Sequence, residues 1–188
     1  MLKTIFFALC FLALPATAAW GQALPTASRA GDLQLGGGFT VANPDYLNPD
    51  YSSSHFKGIA LYGDFDFKEH YGIEADFHHI SGDPADQLYE RTYEIGGRYL
   101  RHYGIFAPYI KGMVGRGVFN FPLPAGAPSG SQHPNLAYNI YAIGLGVDYR
   151  ILSYLNGRVE YEYQSWPGFP PTGLQPNLIT VGVAYHFK

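Results

Sequence analysis

The sequence predicts an all-β fold, an eight-stranded antiparallel up-and-down transmembrane β-barrel with short periplasmic turns and longer external loops. Three observations lead there: an export signal at the N-terminus, eight runs of alternating apolar and polar residues, and connections that are short and long in strict turn.

Met1-Leu2-Lys3 makes a short positive start, and residues 4–14 (TIFFALCFLAL) form an almost wholly apolar run of about eleven residues, the size of a signal-peptide core. Pro15 breaks the run. Ala16-Thr17-Ala18 then offers a small-x-small cleavage site, and Gly21-Gln22-Ala23 a second. A membrane-spanning helix needs about 20 apolar residues, which this run does not reach. Residues 1–23 therefore read as a signal peptide cut after Ala18 or Ala23, and residues 24–188 as the barrel domain. Cys10 lies in the removed segment and lacks the preceding small residue of a lipoprotein signal. The exported chain thus has no cysteine and uses no disulfide.

The 188 residues make one domain of ordinary size after the signal. Aromatic residues reach 16% (Tyr 16, Phe 13) against 14% charged, with 23 Gly. That is too aromatic for disorder and too poor in Leu, Ala, Lys and Glu for a helical bundle. The net charge of −3 becomes −4 once Lys3 leaves with the signal. No basic cluster or stripe exists along the chain, so no nucleic-acid partner is expected.

Each mature run has period two. Leu33, Leu35, Phe39 and Val41 alternate with Gln34, Gly36 and Thr40; Ile59, Leu61, Phe65 and Phe67 with Ala60, Tyr62, Asp64 and Asp66. The third run sets Tyr71, Ile73, Ala75 and Phe77 against Glu74, Asp76 and His78, and the fourth sets Tyr89, Tyr93, Ile95 and Tyr99 against Glu90, Thr92, Glu94 and Arg98. The fifth is weaker: Pro108, Ile110, Val114 and Val118 against Lys111 and Met113. The sixth has Tyr141, Ile143, Leu145, Val147 and Tyr149 opposite Ala142, Gly144, Gly146 and Asp148. Leu155, Val159, Tyr161 and Tyr163 oppose Arg158, Glu160, Glu162 and Gln164 in the seventh. The last has Ile179, Val181, Val183, Tyr185 and Phe187 opposite Thr180, Gly182, Ala184 and His186. Runs of about ten residues suit a tilted strand that crosses the hydrocarbon core.

The breaks at Lys68-Glu69-His70, Arg101-His102-Tyr103 and Ile151-Leu152-Ser153 are short. Those at 42–55, 81–87, 120–135 and 167–176 are longer and rich in Pro, Gly, Asn and Ser. Short periplasmic turns and long external loops alternate in this way in an outer-membrane barrel. Alternation alone leaves open a soluble lipid-carrying barrel with the same apolar face turned inward. The membrane arrangement is favoured by a polar face rich in Gly36, Gly38, Gly96, Gly144, Gly146 and Gly182, which suits a crowded lumen. It is also favoured by Tyr71, Tyr89, Tyr99, Tyr149 and Tyr185 near strand ends, where they would form interfacial girdles.

The C-terminal alternation Val183, Tyr185, Phe187 resembles the terminal signature by which the outer-membrane assembly machinery recognises its clients, here followed by Lys188. Phe106-Ala107-Pro108-Tyr109 resembles a recurrent Phe-x-Pro-Tyr element of small outer-membrane barrels. Together they make the mature chain similar to the OmpA-like and OmpX-like eight-stranded β-barrel domains. The resemblance implies an outer-membrane location in a diderm bacterium, a monomer, contact with outer-membrane lipid and lipopolysaccharide, and assembly through the last strand. It covers adhesins, anchors, small pores and a few lipid enzymes alike. No peptidoglycan-binding domain follows the last strand, so a cell-wall anchoring role is not carried over.

Eight strands enclose a space that side chains can fill. Asp64, Glu74, Arg98, Lys111 and Arg158 fall at similar depth, with Glu94, Glu160 and Glu162 also inward, and are expected to form a charge network that plugs the barrel. The competing reading is a cation pathway lined by the carboxylates, because acids outnumber bases.

No catalysis is expected. Glu160 and Glu162 could pair as acid and base, yet two lumen-wall residues describe them better. His79 and Ser165 lie on non-adjacent strands, so the His and Ser of lipid A-modifying barrels have no counterpart. His78 and His79 face opposite ways and cannot share a metal. With no Walker loop, dinucleotide fingerprint or cysteine site, no cofactor and no metal are expected.

The loops carry the remaining candidates. Asn43-Pro44-Asp45-Tyr46 and Asn48-Pro49-Asp50-Tyr51 are two successive turns that would present Tyr46 and Tyr51. Trp166 and Phe169 are expected to be exposed and to contact lipopolysaccharide or a partner. A surface barrel with structural or interaction duties is the leading expectation, a narrow channel for ions or small solutes the alternative, and a lipid A-modifying enzyme or soluble lipophile-binding barrel less favoured.

Overall fold

A computed structural model describes residues 31–45, 55–82, 88–121 and 134–187. The expected signal segment with its two candidate cleavage sites, and the loop residues Tyr46 and Tyr51, lie outside the described residues. The chain forms β1 (Asp32–Asn43), β2 (Phe56–Lys68), β3 (Tyr71–Ser81), β4 (Tyr89–Leu100), β5 (Phe106–Asn120), β6 (Asn135–Leu152), β7 (Leu155–Ser165) and β8 (Asn177–Phe187). Each strand pairs antiparallel with its predecessor, and β1 pairs with β8 to close the barrel.

The period-two pattern dictates which way each side chain points. The apolar set faces outward: Ile59, Ile95, Leu145 and Val181 are between 50% and 58% exposed. The polar set faces inward, where Asp64, Glu74, Arg98 and Lys111 are buried. An inward apolar face, as in a soluble carrier, is not the arrangement found. Such an outer surface is stable only against hydrocarbon, because water would face apolar side chains on every strand.

Two strands are longer than their sequence pattern suggested. β5 spans 15 residues and β6 spans 18. β7 joins β6 at Tyr141↔Ser165, so residues 135–140 pair with β5 alone and carry β6 past β7.

Glycine at inward positions makes room for large lumen groups. A Cβ on Gly144 would come 2.6 Å from Lys111 Cε, and one on Gly36, Gly146 or Gly117 would enter the rings of Tyr62, Tyr109 or Trp166. At the closing seam Gly38 lies opposite Gly182. There a Cβ on Gly38 would stand 2.6 Å from the Val181 carbonyl oxygen and 2.9 Å from Gly182 Cα. Both are backbone atoms and cannot swing away.

Gly38→Ala is expected to destabilise the closed barrel by about 1–3 kcal/mol, the usual cost of overpacking, in urea unfolding of the detergent-refolded chain. Gly112→Ala, on the outward face with nothing within 4 Å, should leave the same curve unchanged.

Candidate functional site

Near the short-turn end, five strands aim charged side chains at one level of the lumen. β2 supplies Asp64, β3 Glu74, β4 Arg98, β6 Asp148 and β7 Arg158, placed by the registers Asp64↔Glu74 and Asp148↔Arg158. Arg98 Nη1 donates to Glu74 Oε2 at 2.9 Å and lies 3.0 Å from Asp64 Oδ1, while its Nη2 donates to Asp148 Oδ2 at 2.9 Å. Arg158 Nε donates to Asp148 Oδ1 at 2.7 Å and its Nη2 to Asp64 Oδ2 at 2.9 Å. The Tyr109 ring lies against both guanidiniums, 4.5 Å from Arg98 and 4.9 Å from Arg158, and its hydroxyl donates to Glu160 Oε2 at 2.5 Å.

Lys111 forms the next level. Its Nζ donates to Glu74 Oε1 at 3.1 Å and to Asp76, and lies 2.8 Å from Glu160 Oε1 and 2.9 Å from Glu162 Oε2. Glu74 therefore joins the two levels. Charges taken out of water are tolerable only when paired and hydrogen-bonded this closely.

A further polar level sits above Lys111. Gln164 Nε2 donates to both Glu94 Oε1 and Glu162 Oε1 at 2.8 Å, and Gln164 Oε1 accepts from Trp166 Nε1 at 3.0 Å. His78 Nδ1 lies 3.1 Å from Thr92 Oγ1 and 3.6 Å from Glu94. The long-loop mouth is closed by an apolar cluster in which Phe56, Ile80, Phe119 and Ile140 surround Trp166 and Phe169. Glu90 lies in register between Ile80 and Phe119, fully buried, and its oxygens accept no hydrogen bond from a described residue.

The structure thus brings together Asp64, Glu74, Arg98, Lys111, Arg158, Glu160 and Glu162. Glu94 lies one level higher and touches none of the three cations, joining the group through Gln164. Asp148, Asp76, Tyr109 and Tyr62 also belong to the site. The alternation of the sixth run already turned Asp148 inward, but only closure of the sheet sets it between Arg98 and Arg158.

One expectation is corrected. Trp166 and Phe169 are 0% and 3% exposed, and so offer no apolar surface to a partner. The segment after β7 folds into the mouth, where Phe169 N–H donates to Trp166 O and Trp166 N–H to Leu174 O. Burial against neighbouring aromatics outweighs exposure of so much apolar area. Val183, Tyr185 and Phe187 are exposed on the outward face of β8, with the last two rings 4.9 Å apart.

Two buried triplets could in principle ligate a metal, since ligand atoms in each lie within 4.8 Å of one another: His78, Glu94, Glu162 and Glu74, Asp76, Glu160. In each a protein donor already bridges ligands. Gln164 bonds Glu94 and Glu162, and Lys111 Nζ is shared by all three members of the second. Lys111 does there what a cation would do. His79 and Ser165 are on β3 and β7, which are not neighbours in the sheet.

Residues 4–187 match the family described as "Outer membrane protein beta-barrel domain". Among solved structures, the chain is similar to the outer membrane protein OprG from Pseudomonas aeruginosa, with 16% identity over 84% of this chain and 96% of that one, TM-score 0.61. It is also similar to Neisserial surface protein A (13%, 84% and 97%, TM-score 0.59). Ail, the attachment invasion locus protein of Yersinia pestis, is another (14%, 84% and 99%, TM-score 0.57). At these identities the likeness is one of fold. No curated protein matches by sequence.

Arg98→Ala should take a cation from four carboxylates, Asp64, Asp66, Glu74 and Asp148, and lower stability by about 3–5 kcal/mol, read as a lower unfolding temperature of the refolded barrel. An unchanged temperature would show that the charged layer does not hold the fold.

Proposed function

Because the chain belongs to the outer-membrane protein β-barrel domain family, we propose that it is a monomeric surface barrel of a diderm outer membrane with a structural or interaction role. Its N-terminal segment directs export, and Val183, Tyr185 and Phe187 on the last strand are what the assembly machinery engages. Outer-membrane lipid and lipopolysaccharide are its surroundings and first partners.

One observation carries this reading: the lumen is filled at every level. Arg98, Lys111 and Arg158 are each within 3.0 Å of at least two carboxylates. Trp166 and Phe169 close the long-loop mouth above them. At the short-turn mouth a cavity of about 50 Å³, lined by Asp32, Gln34, Asp148 and His186 among others, has the size for a water molecule or two. A pathway for cations would have to break several buried ion pairs at once, each costing kcal/mol to separate in a site without water. Catalysis has no place in this reading, since Lys111, Arg98 and Arg158 occupy the carboxylates around them and the Nδ1 of the outward His79 accepts from Arg91.

The purified barrel in planar bilayers should show no unitary current steps at 100 mV in potassium chloride. Reproducible steps that disappear when Asp76 or Glu162 is neutralised would overturn the closed lumen in favour of a cation pathway.

A further inference from the structure

The charged residues of the strands are sorted by face. Every carboxylate borne on a strand has its side chain on the lumen side of the alternation, whereas the outward positions of the long-loop half carry Lys57, Arg91 and Arg116 and no acid; Lys68, paired with the outward Tyr71 past a bulge, lies at the opposite, short-turn end. These three cations are not spread around the barrel. They sit on β2, β4 and β5, with His79 of β3 filling the gap.

The registers make them neighbours. His79 is paired directly with Arg91, Lys57 is diagonal to His79 through the pair Ile59↔His79, and Arg116 is diagonal to Arg91 through Tyr93↔Arg116. Diagonal positions on one face lie about 7–8 Å apart, within reach of long side chains. The row therefore runs across four adjacent strands, about 14 Å at the spacing of neighbouring strands. The corresponding outward positions on the other side of the rim are Val41 of β1, Asn139 of β6, Ser165 of β7 and Asn177 of β8, all uncharged.

The row lies at the long-loop end, immediately above the apolar band. Two residues toward the band along the same strands stand Ile59, Phe77, Tyr93 and Val114. The guanidiniums are held to the wall. Arg91 Nε donates to His79 Nδ1 at 3.1 Å and its guanidinium lies 4.7 Å above the Tyr89 ring. Arg116 Nη1 donates to Asn139 Oδ1 at 2.6 Å, and its Nη2 to Ala137 O at 3.1 Å. All three cationic side chains are exposed. Positively charged groups fixed in advance lose little freedom on binding an anion, and a guanidinium matches a phosphate with two parallel hydrogen bonds.

We infer that Lys57, Arg91 and Arg116, with His79 between them, form a binding site on one side of the outer rim for the phosphorylated sugar headgroup of an outer-leaflet glycolipid. The apolar wall below takes its acyl chains. A row of this width spans more than one phosphate, which favours a bisphosphorylated disaccharide headgroup over a phospholipid with a single phosphate. The inference rests on the outer-membrane reading given above.

The test uses the mature chain refolded in neutral detergent and titrated with bisphosphorylated lipid A, its dephosphorylated form, or phosphatidylglycerol, with binding read by co-migration and by the unfolding temperature. Bisphosphorylated lipid A should bind about ten-fold or more tightly than either alternative, given that each basic residue near an anionic surface contributes about 1 kcal/mol. The Lys57→Gln/Arg91→Gln/Arg116→Gln variant should lose that preference. Equal binding of the dephosphorylated lipid, or a preference that survives the triple substitution, would overturn the site. The lipid comparison needs only the unaltered protein, and Arg91→Gln alone serves if the triple variant does not refold. A chain that fails to fold in any amphiphile would instead refute the membrane reading, a result distinct from a folded barrel that ignores phosphate.

Discussion

Hydrogen bonding between β1 and β8, from Leu33↔Phe187 to Asn43↔Asn177, is the contact on which everything else in this protein depends. In hydrocarbon no water can satisfy a free N–H or C=O, so a strand edge left open would cost several kcal/mol per group. Closing the sheet removes the edge. It also forces the two faces of the pleat apart, one toward lipid and one into a narrow interior. The glycine pair Gly38 and Gly182 lies at this seam, where the two backbones approach too closely for a side chain.

The interior inherits a second constraint. Eight strands leave space for side chains and little else, and the inward positions carry more acids than bases. The fold answers with a few shared cations: Lys111 serves Glu74, Asp76, Glu160 and Glu162, and the two arginines share Asp64, Glu74 and Asp148. The charged layer and the apolar mouth are linked through Trp166, Gln164 and Glu162 to Lys111. A change at the mouth is thereby coupled by hydrogen bonds to the charge network below.

Under the closed-lumen role proposed above, recognition falls to the outward wall, the rims and the loops. On the strands the acids point inward, and the outward cations of the long-loop half are gathered on one side. Most inward acids are held by Lys111, Arg98 and Arg158, whereas the cations at the long-loop edge face outward, where the proposed headgroup would bind.

Strand number, the direction of each side chain, the alternation of turns and loops, and the inward placement of Asp64, Glu74, Arg98, Lys111 and Arg158 were all legible in the sequence. Each depends on period two or on local turn chemistry, which one segment carries by itself. The pairing of Asp148 with both arginines, the separation of Glu94 from them, and the burial of Trp166 and Phe169 were not legible. They depend on which residues of distant strands reach the same height once the barrel closes, and on a loop finding apolar neighbours across the mouth. The row of Lys57, His79, Arg91 and Arg116 belongs to the same class. In the sequence these are scattered single charges, and only the registers of four strands place them side by side. Alternation along a strand therefore determined which face each residue occupies, and closure of the sheet determined its neighbours, because depth in a tilted barrel is set by register between strands.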